Sequence, residues 1–267
     1  MHIRTRYFIG VLFLASVGGC TLGWSAEPET EELENYIEDH MQALGQRFIS
    51  PLTRSGFSAR LRDARVLYLG DHHRDTEHHQ QILELINWVC DQGYRPVLGI
   101  EAIGTEDNPD LQEYLNDDIS LELLRTRVLV RWPDSWLDNA TVDAGFFRSL
   151  LRLARERGLS AFPLEPAPRL GLHERDSVIA KQIRRALVLH RGELLIVVVG
   201  HAHLLGSGHL VGRVGAPSLV IGARFSEVLE REFRNHPVIG ETEFLRTDRD
   251  VLFLKPRPAR GDQGIRR

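Results

Sequence analysis

The sequence predicts an α/β fold, a mostly parallel sheet with helices on both faces and a site at the strand ends. Three observations predict it. The strand-like segments are continuous apolar runs rather than alternating ones, the pattern of strands buried on both faces. They take turns with segments of helical periodicity, the order that builds parallel βαβ units. The chain has 267 residues, 42% hydrophobic and 26% charged, enough to bury a sizeable core in one large domain or two small ones.

Each element can be justified in order. Residues 32–46 place Leu33, Tyr36, Ile37, Met41 and Leu44 at helical spacing, which suits an amphipathic helix. Residues 66–70 (VLYLG) are a short apolar run ending in Gly and read as a buried strand. Thr76 can cap a helix running to Gln92, with Ile82, Leu85, Ile86 and Val89 on its inner face and Gly93 as its stop. Residues 96–101 (PVLGIE) form the next strand, and short helices fit 108–116 and 120–127. Residues 131–136 (RWPDSW) read as a loop. A strong helix follows over 142–157, with Phe146, Phe147, Leu150, Leu151 and Ala154 inward and Gly158 closing it. Residues 159–164 are a strand and 175–190 a helix. Residues 193–199 (ELLIVVV) are the most hydrophobic strand, and 217–221 and 251–254 complete the set. The folded domain is thus read as residues 32–255, with 256–267 (PRPARGDQGIRR) a disordered tail.

The N-terminus reads as an address. Arg4 and Arg6 precede an apolar stretch over residues 7–17, too short for a membrane span of roughly 20 residues. The stretch ends in Gly18-Gly19-Cys20, which resembles the lipobox of bacterial lipoproteins. There the cysteine is acylated and becomes the new N-terminus. Residues 1–20 are therefore expected to be a lipoprotein signal peptide, with Cys20 the lipid attachment point. Several acyl chains on one residue anchor stably. Thr21, rather than Asp, follows the cysteine, as in lipoproteins sorted to the outer membrane. Residues 21–31 read as a solvated tether. The expected location is the cell envelope, lipid-anchored at the outer membrane and facing the periplasm.

Composition narrows the chemistry. Two cysteines exclude a disulfide-stapled scaffold and any Cys-rich zinc or iron–sulfur site. Cys90, on an apolar helix face, reads as a small core residue. A formal net charge of -4 argues against nucleic acid as a partner. The 12 histidines are not spread evenly: His72, His73, His78 and His79 form one cluster and His201, His203 and His209 another. His2, His40, His190 and His236 carry no functional weight in this reading. Both clusters follow predicted strands, where ligands sit in open α/β sheets. One strand ends Gly70-Asp71-His72-His73, a second ends in Glu101, and a third ends Gly200-His201-Ala202-His203. A histidine beyond a strand can simply cap the next helix. Carboxylate and imidazole groups at three strand ends are harder to explain by packing. If the strands are neighbours, this mixture can hold a divalent metal, ligate haem iron or run acid–base chemistry.

Several stretches together resemble the ChaN family of haem-binding bacterial lipoproteins. They are residues 66–86 (VLYLGDHHRDTEHHQQILELI), Gly99-Ile100-Glu101, Trp132-Pro133-Asp134-Ser135-Trp136, Arg175-Asp176 with Ile179-Ala180, and residues 200–203. The resemblance covers roughly residues 64–222. It is similar too to the related Tiki/TraB proteins and erythromycin esterases, some of which are metal-dependent peptidases or hydrolases. It implies an extracytoplasmic protein that binds haem for iron uptake, with His73, His79 or His203 on the iron and Arg74 pairing with propionates. A homodimer is also implied. The alternative it implies is a metal-dependent hydrolase or peptidase, with Asp71, His73, Glu101 and His203 binding a divalent ion such as zinc. There are two departures from the family pattern. Asp71 stands where the family has Glu, and Phe146 and Phe147 stand where a tyrosine is expected.

Overall fold

Every residue from Val66 to Asp71 is buried, so this strand needs neighbours on both edges and cover on both faces. The computed structural model describes residues 27–166, 170–235 and 243–255, and supplies both. Its strands are Phe48–Leu52 (β1), Val66–Asp71 (β2), Val97–Gly104 (β3), Ala161–Glu165 (β4), Leu195–Gly200 (β5), Ser218–Gly222 (β6), Phe244–Thr247 (β7) and Leu252–Leu254 (β8). They form one sheet in the order β1-β7-β8-β6-β2-β5-β3-β4. The pairs β8–β6, β6–β2, β2–β5, β5–β3 and β3–β4 are parallel. Only the β1–β7–β8 edge is antiparallel. β5 is inserted between β2 and β3, so the chain reverses its direction of winding there. That crossing point opens a crevice at the carboxyl ends.

The helices are Glu27–Ala43 (α1), Arg54–Leu61 (α2), Thr76–Asp91 (α3), Asn108–Leu115 (α4), Leu121–Arg131 (α5), Ala144–Glu156 (α6), Leu172–Leu189 (α7), Leu210–Val214 (α8) and Glu227–Asn235 (α9). Alternate residues of the strands feed two cores. Leu67, Leu69, Ile196, Val198 and Ile221 pack with residues of α2, α3, α4 and α6, among them Phe57, Ile82, Leu111 and Phe147. Val66, Tyr68, Val197, Val199 and Val220 pack on the opposite face with Ile179 and Ile183 of α7 and Leu229 of α9. Burial of each such side chain is worth about 1.5–3 kcal/mol. The expected helix-covered, mostly parallel sheet is what forms.

Differences from the sequence reading are local. All six expected strands are present with bounds moved by up to three residues, but β1 and β7 were not foreseen. Pro51 and the brevity of β7 hide the antiparallel edge. The α3 cap is Asp75, not Thr76: its carboxylate accepts the His78 amide at 3.0 Å. α2 was also unforeseen, and Thr53 caps it by accepting the Gly56 amide. α1 begins at Glu27, so residues 27–31 of the expected tether are helical. Cys90 is half-buried against the first core, where burial pushes its thiol up. Residues 1–20 with Cys20, and the tail 256–267, lie outside the described residues. No described helix is long and apolar enough to cross a membrane.

Candidate functional site

The parallel register sets Asp71 of β2 beside Gly200 of β5. On the other side of β5, Glu101 of β3 accepts the Gly200 amide at 2.6 Å through Oε2. The three strand ends singled out in the sequence are therefore adjacent, with Gly200 between two carboxylates.

On the β2 side, Asp71 Oδ2 accepts from His73 Nδ1 at 2.7 Å, and Oδ1 accepts from His79 Nε2 at 2.5 Å. His79 also donates through Nδ1 to Asp143 at 2.9 Å. Carboxylates only accept, so both His79 nitrogens carry protons and the ring is an imidazolium. Burial works against that cation, but Asp71 and Asp143 outweigh it and raise the His79 pKa. Burial would likewise raise the Asp71 carboxyl, yet its bonds to the two histidines hold it well below the usual carboxylate range. Phe146 stacks on His79 with centroids 4.1 Å apart and planes at 7°. The chain thus has an aromatic lid on a structural histidine where the family comparison led us to expect a tyrosine.

On the β3 side, Arg175 at the start of α7 makes ion pairs with both Glu101 and Glu165. The next residue, Asp176, accepts His203 Nδ1 at 2.6 Å and the Tyr36 hydroxyl on its other oxygen. Tyr36 comes from α1. Its hydroxyl lies 3.0 Å from His203 Nδ1, and its ring stacks on His209 at 4.0 Å. Burial first, then the Asp176 charge, push the phenol far above its usual pKa, so it remains a proton donor.

Between the two halves lies a cavity of about 470 Å³. Leu33, Ile37, Trp136, Val142 and Leu172 supply its apolar wall, and His72, His73, His201, His203, Arg74 and Arg175 are among its polar groups. Gly200 forms its floor. A Cβ there would lie 3.2 Å from the His73 ring and 3.4 Å from that of His203. The 131–136 loop contributes Trp136, whose ring centroid is 4.1 Å from that of His73.

Not every predicted site residue reaches this cavity. His73, His203 and Arg74 line it, with Arg74 exposed and donating through Nε to the Thr141 carbonyl at 2.7 Å. Asp71, His79 and Glu101 sit behind it, 1–2% exposed. Both nitrogens of His79 are taken, so it serves as a support for Asp71. His78 donates to the Gly70 carbonyl and His209 to that of Ala202, local bonds of the bland kind. Glu101 has both oxygens engaged by Arg175 and Gly200, while its distance to His203 Nε2 is 3.9 Å. Among the described residues, no group of three or more His, Cys, Asp or Glu side chains is arranged to hold a metal ion. Sequence reasoning missed Tyr36, read only as an apolar helix position, and gave the Arg175-Asp176 pair no role. The available signal was two adjacent opposite charges opening a helix whose following positions are apolar.

Residues 57–169 match the family model described as haem-binding uptake, Tiki superfamily, ChaN. No curated protein sequence matches the chain significantly. Among solved structures, the type III effector HopBA1 matches 78% of this chain and 96% of its own, at 14% identity and a TM-score of 0.50. That likeness is one of fold alone. ChaN of Campylobacter jejuni, described with cofacial haem binding, matches 71% of this chain and 90% of its own, at 11% identity and a TM-score of 0.46. RRSP, a MARTX toxin effector domain from Vibrio vulnificus, matches 73% of this chain and 44% of its own, at 17% identity and a TM-score of 0.42. The segment that carries β2, α3, β3 and the strand-end residues Asp71, His73 and Glu101 is thus similar to the ChaN-like family of the Tiki superfamily.

Proposed function

We propose that the protein binds haem in the strand-end cavity and serves haem or iron uptake. One observation carries this reading beside the family match. His73 and His203 both give Nδ1 to a buried aspartate, which leaves each Nε2 for the cavity. The residues suit the group. Leu33, Ile37, Trp136, Val142 and Leu172 offer an apolar wall to a porphyrin, imidazole suits its iron, and Arg74 at the rim suits a propionate. Haem, when bound, supplies iron coordination and redox chemistry. The chain supplies the ligand, the wall and the orientation.

The test is a titration of the full chain in detergent with haemin, read at the Soret band. His73→Ala and His203→Ala should each weaken binding, and the double variant should abolish it. Unchanged affinity in the double variant overturns the site. The metal-dependent hydrolase or peptidase reading has less support, because each oxygen of Asp71 and Glu101 already accepts a hydrogen bond from the protein and both residues sit behind the cavity.

The same proposal places the protein at the outer membrane, facing the periplasm, on a lipid attached to Cys20. The Gly18-Gly19-Cys20 sequence supports it. Incorporation of labelled palmitate that survives Cys20→Ser would refute it. Pairing of two copies on haem addition, expected from the resemblance, is read by sedimentation during the titration.

A further inference from the structure

Of the four histidines that line the cavity, His72, His73, His201 and His203, two are held by a buried aspartate, His73 and His203, and their supports are not equivalent. Asp71 divides its charge between His73 and the His79 imidazolium, and the His73 side chain is 34% exposed. Asp176 carries no such cation. One oxygen accepts His203 Nδ1 and the other only the neutral Tyr36 hydroxyl. Asp176 is fully buried and the His203 side chain is 7% exposed. Around it, among the described residues, the carboxylates of Glu101 and Asp176 are set against the guanidinium of Arg175. The proton inventory then fixes the tautomer. The one Tyr36 proton goes to Asp176, and a carboxylate cannot donate, so His203 must carry its proton on Nδ1. Its Nε2 is therefore the atom presented to the cavity.

We propose that Asp176 and Tyr36 are positioning residues that make His203 the iron ligand and bias the bound haem toward the ferric state. This rests on the haem reading above and goes beyond it. A carboxylate bonded to the far nitrogen raises the basicity of a ligating imidazole. Ferric iron carries one more positive charge than ferrous iron. An anionic surplus in a buried, weakly screened site therefore favours it. Asp176 is the source of that surplus, and Tyr36 moderates it by donating to the second oxygen. Tyr36 also makes α1, outside the segment that matches the family, part of the site.

Two measurements test the proposal. In the full chain without haem, ¹⁵N NMR of labelled histidine should show His203 protonated on Nδ1, assigned with His203→Asn; Asp176→Asn should remove that preference. In the haem-loaded full chain, spectroelectrochemical titration with dithionite reads the ferric-to-ferrous affinity ratio. Asp176→Asn should lower the ratio at least ten-fold, Tyr36→Phe should raise it, and Asp71→Asn should change it less than Asp176→Asn does. Asp176→Glu, which keeps the charge, should restore most of it. Should Asp176→Asn fail to fold, Tyr36→Phe and Asp176→Glu carry the test. Shifts of the same sign for Asp176→Asn and Tyr36→Phe, or equal shifts for Asp71→Asn and Asp176→Asn, overturn the proposal. So does His203 protonated on Nε2 in the free chain. Absence of any Soret band in the unsubstituted chain overturns the haem reading and the ferric bias together, while the NMR result still decides the tautomer.

Discussion

His79 stands with Nε2 2.5 Å from Asp71 Oδ1, a buried cation resting against the carboxylate that also orients His73. The pair is structural as much as functional, because removing one partner strands a charge in the interior. Asp71→Asn is expected to cost about 3–5 kcal/mol, the usual penalty for an orphaned buried charge. Asp143 on the other nitrogen will bring it toward the lower end. Urea denaturation reads the loss; a change under 1 kcal/mol would mean that His79 is not charged in the native state.

Lengthening the same residue is also predicted to harm the fold. Asp71 is 1% exposed and its two oxygens already meet both histidines. The extra methylene of Asp71→Glu must displace a ring, at about 1–3 kcal/mol. A stabilised Asp71→Glu variant would show that the site tolerates the family's longer carboxylate without rearrangement.

Arg175 is the counterpart on the β3 side. It is 7% exposed and holds Glu101 and Glu165 together. Arg175→Met keeps much of the stem but leaves two buried carboxylates facing each other, so a loss of about 3–5 kcal/mol is expected. Urea denaturation at neutral pH reads the loss, and a change under 1 kcal/mol would contradict the mechanism.

Acid should destabilise the whole protein from about neutral pH downward. His40 is fully buried, and burial, reinforced by His201 and His209, lowers its pKa from 6.5 to about 3. Burial lowers His201 to about 4. Below pH 6.5 the unfolded chain takes up these protons and the native state does not until pH 4 or 3. Stability therefore falls with pH through that window, by up to about 1.4 kcal/mol per pH unit for each group. His79 acts oppositely: its pKa is raised, so its contribution is complete below pH 6.5 and fades as pH rises through the folded value. Asp71 contributes above pH 3.8 and loses that contribution only on further acidification. His40→Leu should flatten the acid slope, and an unchanged slope would exonerate His40.

Gly200 tests the cavity floor. Its backbone is in an ordinary region with φ -47°, so alanine is allowed by conformation but crowds His73 and His203 at 3.2 and 3.4 Å. Gly200→Ala should weaken haemin binding ten-fold or more in the Soret titration while changing stability by no more than about 1–3 kcal/mol. Unaltered binding would show that neither ring approaches the ligand.

Much of this molecule was legible in the chain itself. Uninterrupted runs such as Leu195–Gly200 declared a strand covered on both faces, and the periodicity of Ala144–Glu156 declared its helix. Those are local signals, carried by side-chain spacing and backbone geometry. Strand ends rich in His, Asp and Glu also announced where the chemistry sits, because few such groups enter an apolar interior without purpose. The antiparallel edge was not legible, since Phe48–Leu52 contains Pro51 and gains its order only by pairing with β7.

What the sequence alone determined, then, was the fold class and a set of candidate residues. What only the tertiary structure decided was their division of labour. His73 and His203 line the cavity, while His79, chemically identical, is spent holding Asp71. Tyr36 and Asp176, 140 residues apart, meet at one hydrogen bond. Spacing along a chain reports which face of an element a residue occupies. Which nitrogen is free, and which carboxylate is already satisfied, depends on partners that only folding brings within 3 Å.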